Sequence, residues 1–349
     1  MCARRAVGHV PKDQESYEMS SSSHETPKVG LALSCGAAHG MAHIGVLKAL
    51  CEASIPIDMI AGTSAGAMVG ACYAKERSVA ILEEITLGVD WKMLARLIDP
   101  KLSLLGKGLV HGQRVNSLLR SIIGAVKFQD LEIPFAVVAA DARNMEEIVI
   151  NTGPVIEAVR ASMSMPVIFT PVKWGSRFLI DGGVVNPMPV DVVRNMGAEI
   201  VIGVDVLCMG QPRKGEKEVQ KKAGTKPPPR FESTHLAVVK KKIDTLVREH
   251  SHGIKILEEL SRAAGSRIHS GRGKTDPKAP NMFGVLMELI HAMEYERLKL
   301  SIEAADIVIS PDVSHIGAFA FYKGEEAIAQ GYRAAKDVLP RLQDMIGCS

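Results

Sequence analysis

Short apolar runs rich in β-branched residues alternate along this chain with longer stretches of helical period, and that alternation limits the fold more than any other feature. Strand-like runs occur at Val29–Ser34, Ile57–Ala61, Phe135–Asp141 and Ile200–Val206. Between them lie helix-like stretches at Gly40–Glu52 and Ser64–Lys75, and segments 154–164 and 187–196, each begun by a proline early in its first turn. Trp174-Gly175-Ser176-Arg177 reads as a hairpin turn leading into Phe178–Asp181. The pattern resumes with a helix near Phe283–Ala304, a strand at Asp306–Ser310 and a last helix from about Lys323 to Met345. Strands joined by helices form a mainly parallel sheet with both faces covered, so an α/β fold is expected.

Two segments interrupt this texture. Residues 1–27 carry two arginines with no apolar core of a secretory signal behind them, and read as a disordered tail. Residues 208–280 hold 17 Lys/Arg against 8 Asp/Glu, with linker-like flanks around a helical stretch at 235–264. The chain as a whole has a formal net charge of only +3, so a basic insertion sits on an acidic body. The expected organisation is one domain built from 28–207 and 281–349, with 208–280 inserted into it. Apolar stretches such as Glu199–Leu207 fall far short of the roughly 20 residues of a spanning helix. The six cysteines lack metal-ligand spacing and suggest a reducing compartment, so a cytoplasmic location is expected, with peripheral membrane contact through 235–264 as a further expectation. In that stretch Leu236, Val239, Ile243, Leu246, Ile254, Leu257 and Leu260 form one helical stripe, with Lys240, Lys241 and Lys242 off it. The alternative is a stripe packed on the body of the protein or on a second copy. No nucleic-acid partner is expected, and oligomeric state has no signature here.

Three motifs carry possible chemistry. Gly62-Thr63-Ser64-Ala65-Gly66 places a serine between an apolar strand and a small-residue helix. That is where a strained strand-to-helix turn can present a nucleophile, although the same residues can serve as a plain helix cap. Upstream, Ser34-Cys35-Gly36-Ala37-Ala38-His39-Gly40 ends one strand and starts a helix, where free backbone N–H groups can receive negative charge. A dinucleotide fingerprint is the competing reading, with Asp58 as its acid, but Asp58 begins the second strand instead of ending it and the G-x-G-x-x-G spacing is broken. The third motif, Asp181-Gly182-Gly183, closes an apolar strand and can present a base at a loop, or simply turn the chain.

Together these motifs resemble the patatin-like phospholipase family, and specifically its bacterial members related to the catalytic domain of neuropathy target esterase. The resemblance rests on the three motifs above with Ala42-His43-Ile44-Gly45-Val46-Leu47, Gly108–Gly112, Val138–Asp141, Ala158–Pro166 and Pro311–Gly317. It covers about 28–207 and 281–340. What it implies is a three-layer α/β/α fold with a mainly parallel central sheet, hydrolysis of phospholipid or lysophospholipid esters, and no metal or organic cofactor. It further implies a Ser64–Asp181 dyad without histidine, with Ser64 as nucleophile, Asp181 as general base, and the amides of Gly36 and Ala37 as oxyanion donors. Gly62, Thr63, Ala65 and Gly66 would frame the nucleophile, and Gly182 and Gly183 the base.

The chain departs from the family in its glycine loop, where Cys35, Ala37 and His39 replace two glycines and an arginine. If Ala37 takes positive φ it carries strain, and His39 removes a permanent positive charge. A catalytically weak or inactive lipid-binding or scaffolding member is therefore the alternative function, and a triad that recruits His315 is the alternative mechanism. His43 reads as a packed or capping residue and Asp141 as a strand-end residue bonded to backbone. Met163, Met165 and Met188 read either as pliable pocket lining or as core.

Overall fold

The computed structural model of the chain describes residues 26–88, 113–207 and 282–347. The expected helical stretch 235–264, the rest of the expected 208–280 insertion, Gly108–Gly112 and nearly all of the expected N-terminal tail lie outside the described residues.

Eight strands form one sheet: β1 (Val29–Leu33), β2 (Met59–Thr63), β3 (Phe135–Asp141), β4 (Glu147–Ile150), β5 (Val172–Trp174), β6 (Arg177–Asp181), β7 (Ile200–Val204) and β8 (Ile307–Ile309). Their order is β5-β6-β3-β2-β1-β7-β8, with β4 paired to β3. The run β3-β2-β1-β7-β8 is parallel, and β4, β5 and β6 add antiparallel pairings at one side. The expected hairpin is the β5–β6 pair, with Trp174 opposite Arg177 across a two-residue turn.

Helices α1 (Ala42–Glu52), α2 (Ala65–Glu76), α3 (Ala80–Gly88), α4 (Gln113–Ile123), α5 (Val155–Ser162), α6 (Val190–Asn195), α7 (Met282–Ala304) and α8 (Gly324–Ile346) cover the sheet. Pro154 and Pro189 stand immediately before α5 and α6, where their missing N–H costs nothing. The period of two along each strand sorts the core into two halves. Leu31, Leu33, Ile60, Val137, Ile202 and Val204 meet α1, α2, α5 and α8 on one face. Ala32, Ala61, Ala136, Val138 and Val201 meet α6, α7 and the turn after β6 on the other. Both faces of the sheet are thus dry and three layers result, as the strand-rich, nearly uninterrupted apolar runs require.

One feature of the register brings distant segments together. β4 occupies one edge of β3, pairing with Val137–Ala140. On the opposite edge, β2 runs alongside β3 as far as Thr63 opposite Val138, and β6 takes over at the next residue, with Asp181 opposite Ala139. The residue after Thr63 and the last residue of β6 therefore meet at one point on β3. They are Ser64 and Asp181.

Candidate active site

Ser64 occupies the single residue between β2 and α2, with φ 54° and ψ −114°. A side-chain-bearing residue in this region costs on the order of 1–3 kcal/mol and persists only where its surroundings impose it. Here Gly62 and Gly66 do so by closeness. A Cβ on Gly62 would lie 2.5 Å from the Gly66 carbonyl oxygen, and one on Gly66 would lie 2.2 Å from the carbonyl oxygen of Leu33. The glycines thus let β2, α2 and the end of β1 pack backbone to backbone, while the positive φ falls on the serine itself. The Ser64 N–H donates to Ser162 Oγ (2.7 Å), which in turn donates to the Val138 carbonyl (2.5 Å), so the turn is also fixed from α5.

Asp181 Oδ2 accepts the Ser64 hydroxyl at 2.6 Å, and its Oδ1 accepts the Gly183 N–H at 2.9 Å. Its own N–H donates to the Ser164 carbonyl at 3.0 Å. Ser164 is held in turn by Arg160, whose Nη1 donates to Ser164 Oγ at 2.6 Å. The segment 160–164 thereby fixes the backbone of both Ser64 and Asp181, a role that the sequence reading did not assign to any of its residues. Asp181 is 5% exposed. Burial pushes its carboxyl up to about 6, opposed by the hydrogen bonds from Ser64 and Gly183 that favour the ionised form. A carboxylate ionised at neutral pH yet basic enough to accept a hydroxyl proton is the outcome.

The glycine loop follows β1. The amides of Cys35, Ala38 and His39 are engaged by Pro187, Ala318 and Gly36 carbonyls, and among the described residues no acceptor is bonded to the amides of Gly36 and Ala37. These are the two donors expected of the loop. Gly36 has φ 156° and Ala37 has φ 49°, so the condition under which Ala37 carries strain is met. Ala37→Gly is expected to relieve about 1 kcal/mol of strain and raise Tm by a few degrees, checked by thermal melts. Unchanged or lowered Tm would contradict that account. His39 donates from Nε2 to the Ile316 carbonyl (2.5 Å), and burial lowers its pKa, so it is a neutral strut between the loop and the Pro311–Gly317 segment instead of a cation.

The remaining candidates separate cleanly. His315 bonds through Nε2 to Glu326 Oε1 at 2.7 Å, whereas the Ser64 hydroxyl goes straight to Asp181 with no imidazole between them. Asp58 accepts the Val29 N–H at 2.7 Å and is a strand-start brace. His43 is fully buried, donates to the Ser34 carbonyl at 2.8 Å, and is driven by burial down to about 4. Asp141 accepts the Arg143 N–H at the end of β3. Met188 is core on the α6 face, while Met163 packs on the opposite core. Thr63 anchors the turn after Asp181 by donating to the Asn186 carbonyl at 2.8 Å. No group of three or more potential metal ligands occurs among the described residues.

The family model described as patatin-like phospholipase matches residues 31–194. An uncharacterized NTE family protein of Mycobacterium tuberculosis (strain ATCC 25618 / H37Rv) is 34% identical over 184 residues, 52% of this chain and 49% of that protein. Patatin-like phospholipase domain-containing protein 6 of Homo sapiens and neuropathy target esterase sws of Drosophila melanogaster are each 34% identical over 183 residues, 51% of this chain and 13% of theirs. The chain therefore spans about half the length of the mycobacterial relative and a small part of the animal ones. Among solved structures, VipD from Legionella pneumophila superposes with a TM-score of 0.51 at 14% identity, covering 91% of this chain and 67% of that one, a likeness of fold.

Proposed function

We propose, from the premise that residues 31–194 belong to the patatin-like phospholipase family, that this protein hydrolyses the carboxylic esters of phospholipids or lysophospholipids with a Ser64–Asp181 dyad. The observation that carries the reading is the 2.6 Å hydrogen bond from the Ser64 hydroxyl to the buried Asp181 carboxylate at a strained turn.

The reaction proceeds in two halves. Ser64 Oγ attacks the ester carbonyl carbon as its proton passes to Asp181 Oδ2, and the carbonyl oxygen, now negative, is received by the N–H groups of Gly36 and Ala37. The tetrahedral adduct collapses, protonated Asp181 returns its proton to the leaving alkoxide, and an acyl-serine remains. Water then gives its proton to Asp181, attacks the acyl carbon, and releases the fatty acid as Ser64 recovers its hydrogen. Fixing both partners through 160–164 removes the entropy of aligning them in each half. The test is fatty-acid release from a panel of phospholipids and lysophospholipids by the purified chain, with Ser64→Ala as control. Release equal to the control would favour the lipid-binding member that the altered glycine loop suggests.

The basic 208–280 segment supports a second part of the proposal, contact with anionic membrane. No helix among the described residues is long and apolar enough to cross a membrane. Basic residues contribute about 1 kcal/mol each near a negatively charged surface. Replacing Lys240, Lys241 and Lys242 together by Glu is expected to cut sedimentation with anionic liposomes at least tenfold while sparing hydrolysis of a soluble short-chain ester. Equal sedimentation of variant and parent at low and high salt would assign the segment no membrane role.

A further inference from the structure

Behind the Asp181 turn lies a second buried acid. Glu294 sits on the inner stripe of α7 between Ile290 and Leu298 and is 8% exposed. Its Oε1 is 3.8 Å from Cys35 Sγ, within reach of a long S–H···O bond. A Cβ built on Gly183 would stand 2.8 Å from Glu294 Oε1, 3.0 Å from Cys35 Sγ and 3.3 Å from Asp181 Oδ1. The bare backbone of Gly183 is therefore the meeting point of the base turn, the glycine loop and α7.

The charges around this point are all of one sign. Asp181 faces Glu294 from the end of β6 and Cys35 faces it from the glycine loop, while Asp205, beyond the end of β7, acts on the same thiol. Among the described residues no cation pairs with Glu294. Two ionised carboxylates this deep without a counter-ion are strongly disfavoured, so one acid keeps its proton. Burial, with the charge of Asp181 behind it, pushes Glu294 up to about 8, and the thiol hydrogen bond pulls the other way. Asp181 is accordingly the acid that ionises first, and its charge opposes the ionisation of Glu294.

We propose that Glu294 is a positioning residue for the reaction described above, on which this inference rests: its carboxyl ties the Cys35-Gly36-Ala37 loop to the turn that presents Asp181, and its charge state decides whether the two stay together. With Glu294 neutral, the loop and the turn lie in contact and the amides of Gly36 and Ala37 face the carbonyl attacked by Ser64. Ionised Glu294 sets two negative charges across Gly183. Asp181 is already unprotonated at that pH, so added basicity recruits no further active molecules, while repulsion separates loop from turn and opposes the oxyanion. Activity falls as pH rises through the ionisation of Glu294.

The test compares wild type with Glu294→Gln, which keeps the shape and cannot ionise. The rate of labelling by a fluorophosphonate probe and the kcat/KM for a soluble ester are measured from pH 5 to pH 10. Wild type is expected to rise through about 6 and to fall near 8 by about tenfold per pH unit. Glu294→Gln keeps the rise and stays level where wild type falls, which a merely structural role would not produce. An alkaline fall identical in the two proteins, or none in wild type, overturns the proposal. Infrared difference titration supplies a readout independent of turnover: a buried carboxylic-acid band that survives at pH 7 in wild type and is lost in Glu294→Gln. If Gln does not fold, Glu294→Met serves the same arms, and absence of the band from wild type alone contradicts the proposal. The two failures are distinct. Labelled Ser64 without the alkaline fall refutes the role of Glu294, whereas an unlabelled Ser64 beside an intact, Glu294-dependent band refutes the hydrolase reading and takes the positioning role with it.

Discussion

Ser64→Ala and Asp181→Asn are each expected to lower the rate of ester hydrolysis by about 10⁴-fold or more, and the double variant no further than the worse single one, because nucleophile and base act as a unit. Steady-state kinetics on a soluble ester check this, with circular dichroism to show that the fold is kept. The expectation follows from the direct 2.6 Å contact: without Oγ there is nothing to acylate, and an amide at 181 cannot take the proton. His315→Ala is the internal control. Its imidazole is committed to Glu326, so its removal is expected to leave the rate within about twofold. A loss comparable to that of Ser64→Ala would replace the dyad with a histidine-based mechanism.

Gly66→Ala is expected to cost about 3 kcal/mol of stability and most of the activity. The added methyl would be placed 2.2 Å from the Leu33 carbonyl oxygen, 2.6 Å from its carbon and 2.7 Å from the Ser34 oxygen, all backbone atoms of the central strand and its extension. Neither neighbour can rotate away as a side chain could, so α2 must shift outward and carry Ser64 from Asp181. Denaturant unfolding gives the stability change. A variant as stable and as active as wild type would show that the packing of β2, α2 and β1 does not set the position of the serine.

Much of this was legible in the sequence, for reasons that differ from residue to residue. Parallel strands buried on both faces leave long apolar runs, so β1, β2, β3 and β7 stand out, and the prolines before α5 and α6 mark where helices begin. β4 went unforeseen because a strand of only four residues is too short to show a period. Ser64 and Asp181 were candidates through their glycine neighbours. Their meeting was not readable from the residues alone, since it depends on β6 replacing β2 along a single edge of β3. Ser162 and Ser164 carry no signal of their own, as serines near a helix end are ordinary. Glu294 did leave a trace: it interrupts the inner stripe Ile290, Glu294, Leu298 at spacings of four, and an acid in such a stripe is buried by the geometry of the helix. That trace is readable only once the orientation of α7 against the sheet is known.

Ala37 illustrates the opposite case: the sequence shows that a positive φ there would carry strain, but not the setting that imposes it. Positive φ at a non-glycine residue follows from the loop's course between β1 and α1. What could not be read is that His39, where the resemblance implies an arginine, is half-buried against the Ile316 carbonyl and kept neutral. The loop has exchanged a charge for a strut.

The most direct measurement of the central claim is covalent labelling by a fluorophosphonate probe, with the modified peptide mapped by mass spectrometry and the rate followed across pH. The account predicts one label per chain on Ser64, a rate that rises with pH through about 6 as the buried Asp181 carboxyl loses its proton, and no label on Asp181→Asn under the same conditions. Labelling at another residue, or labelling of Ser64 that proceeds at the same rate in Asp181→Asn, would contradict it.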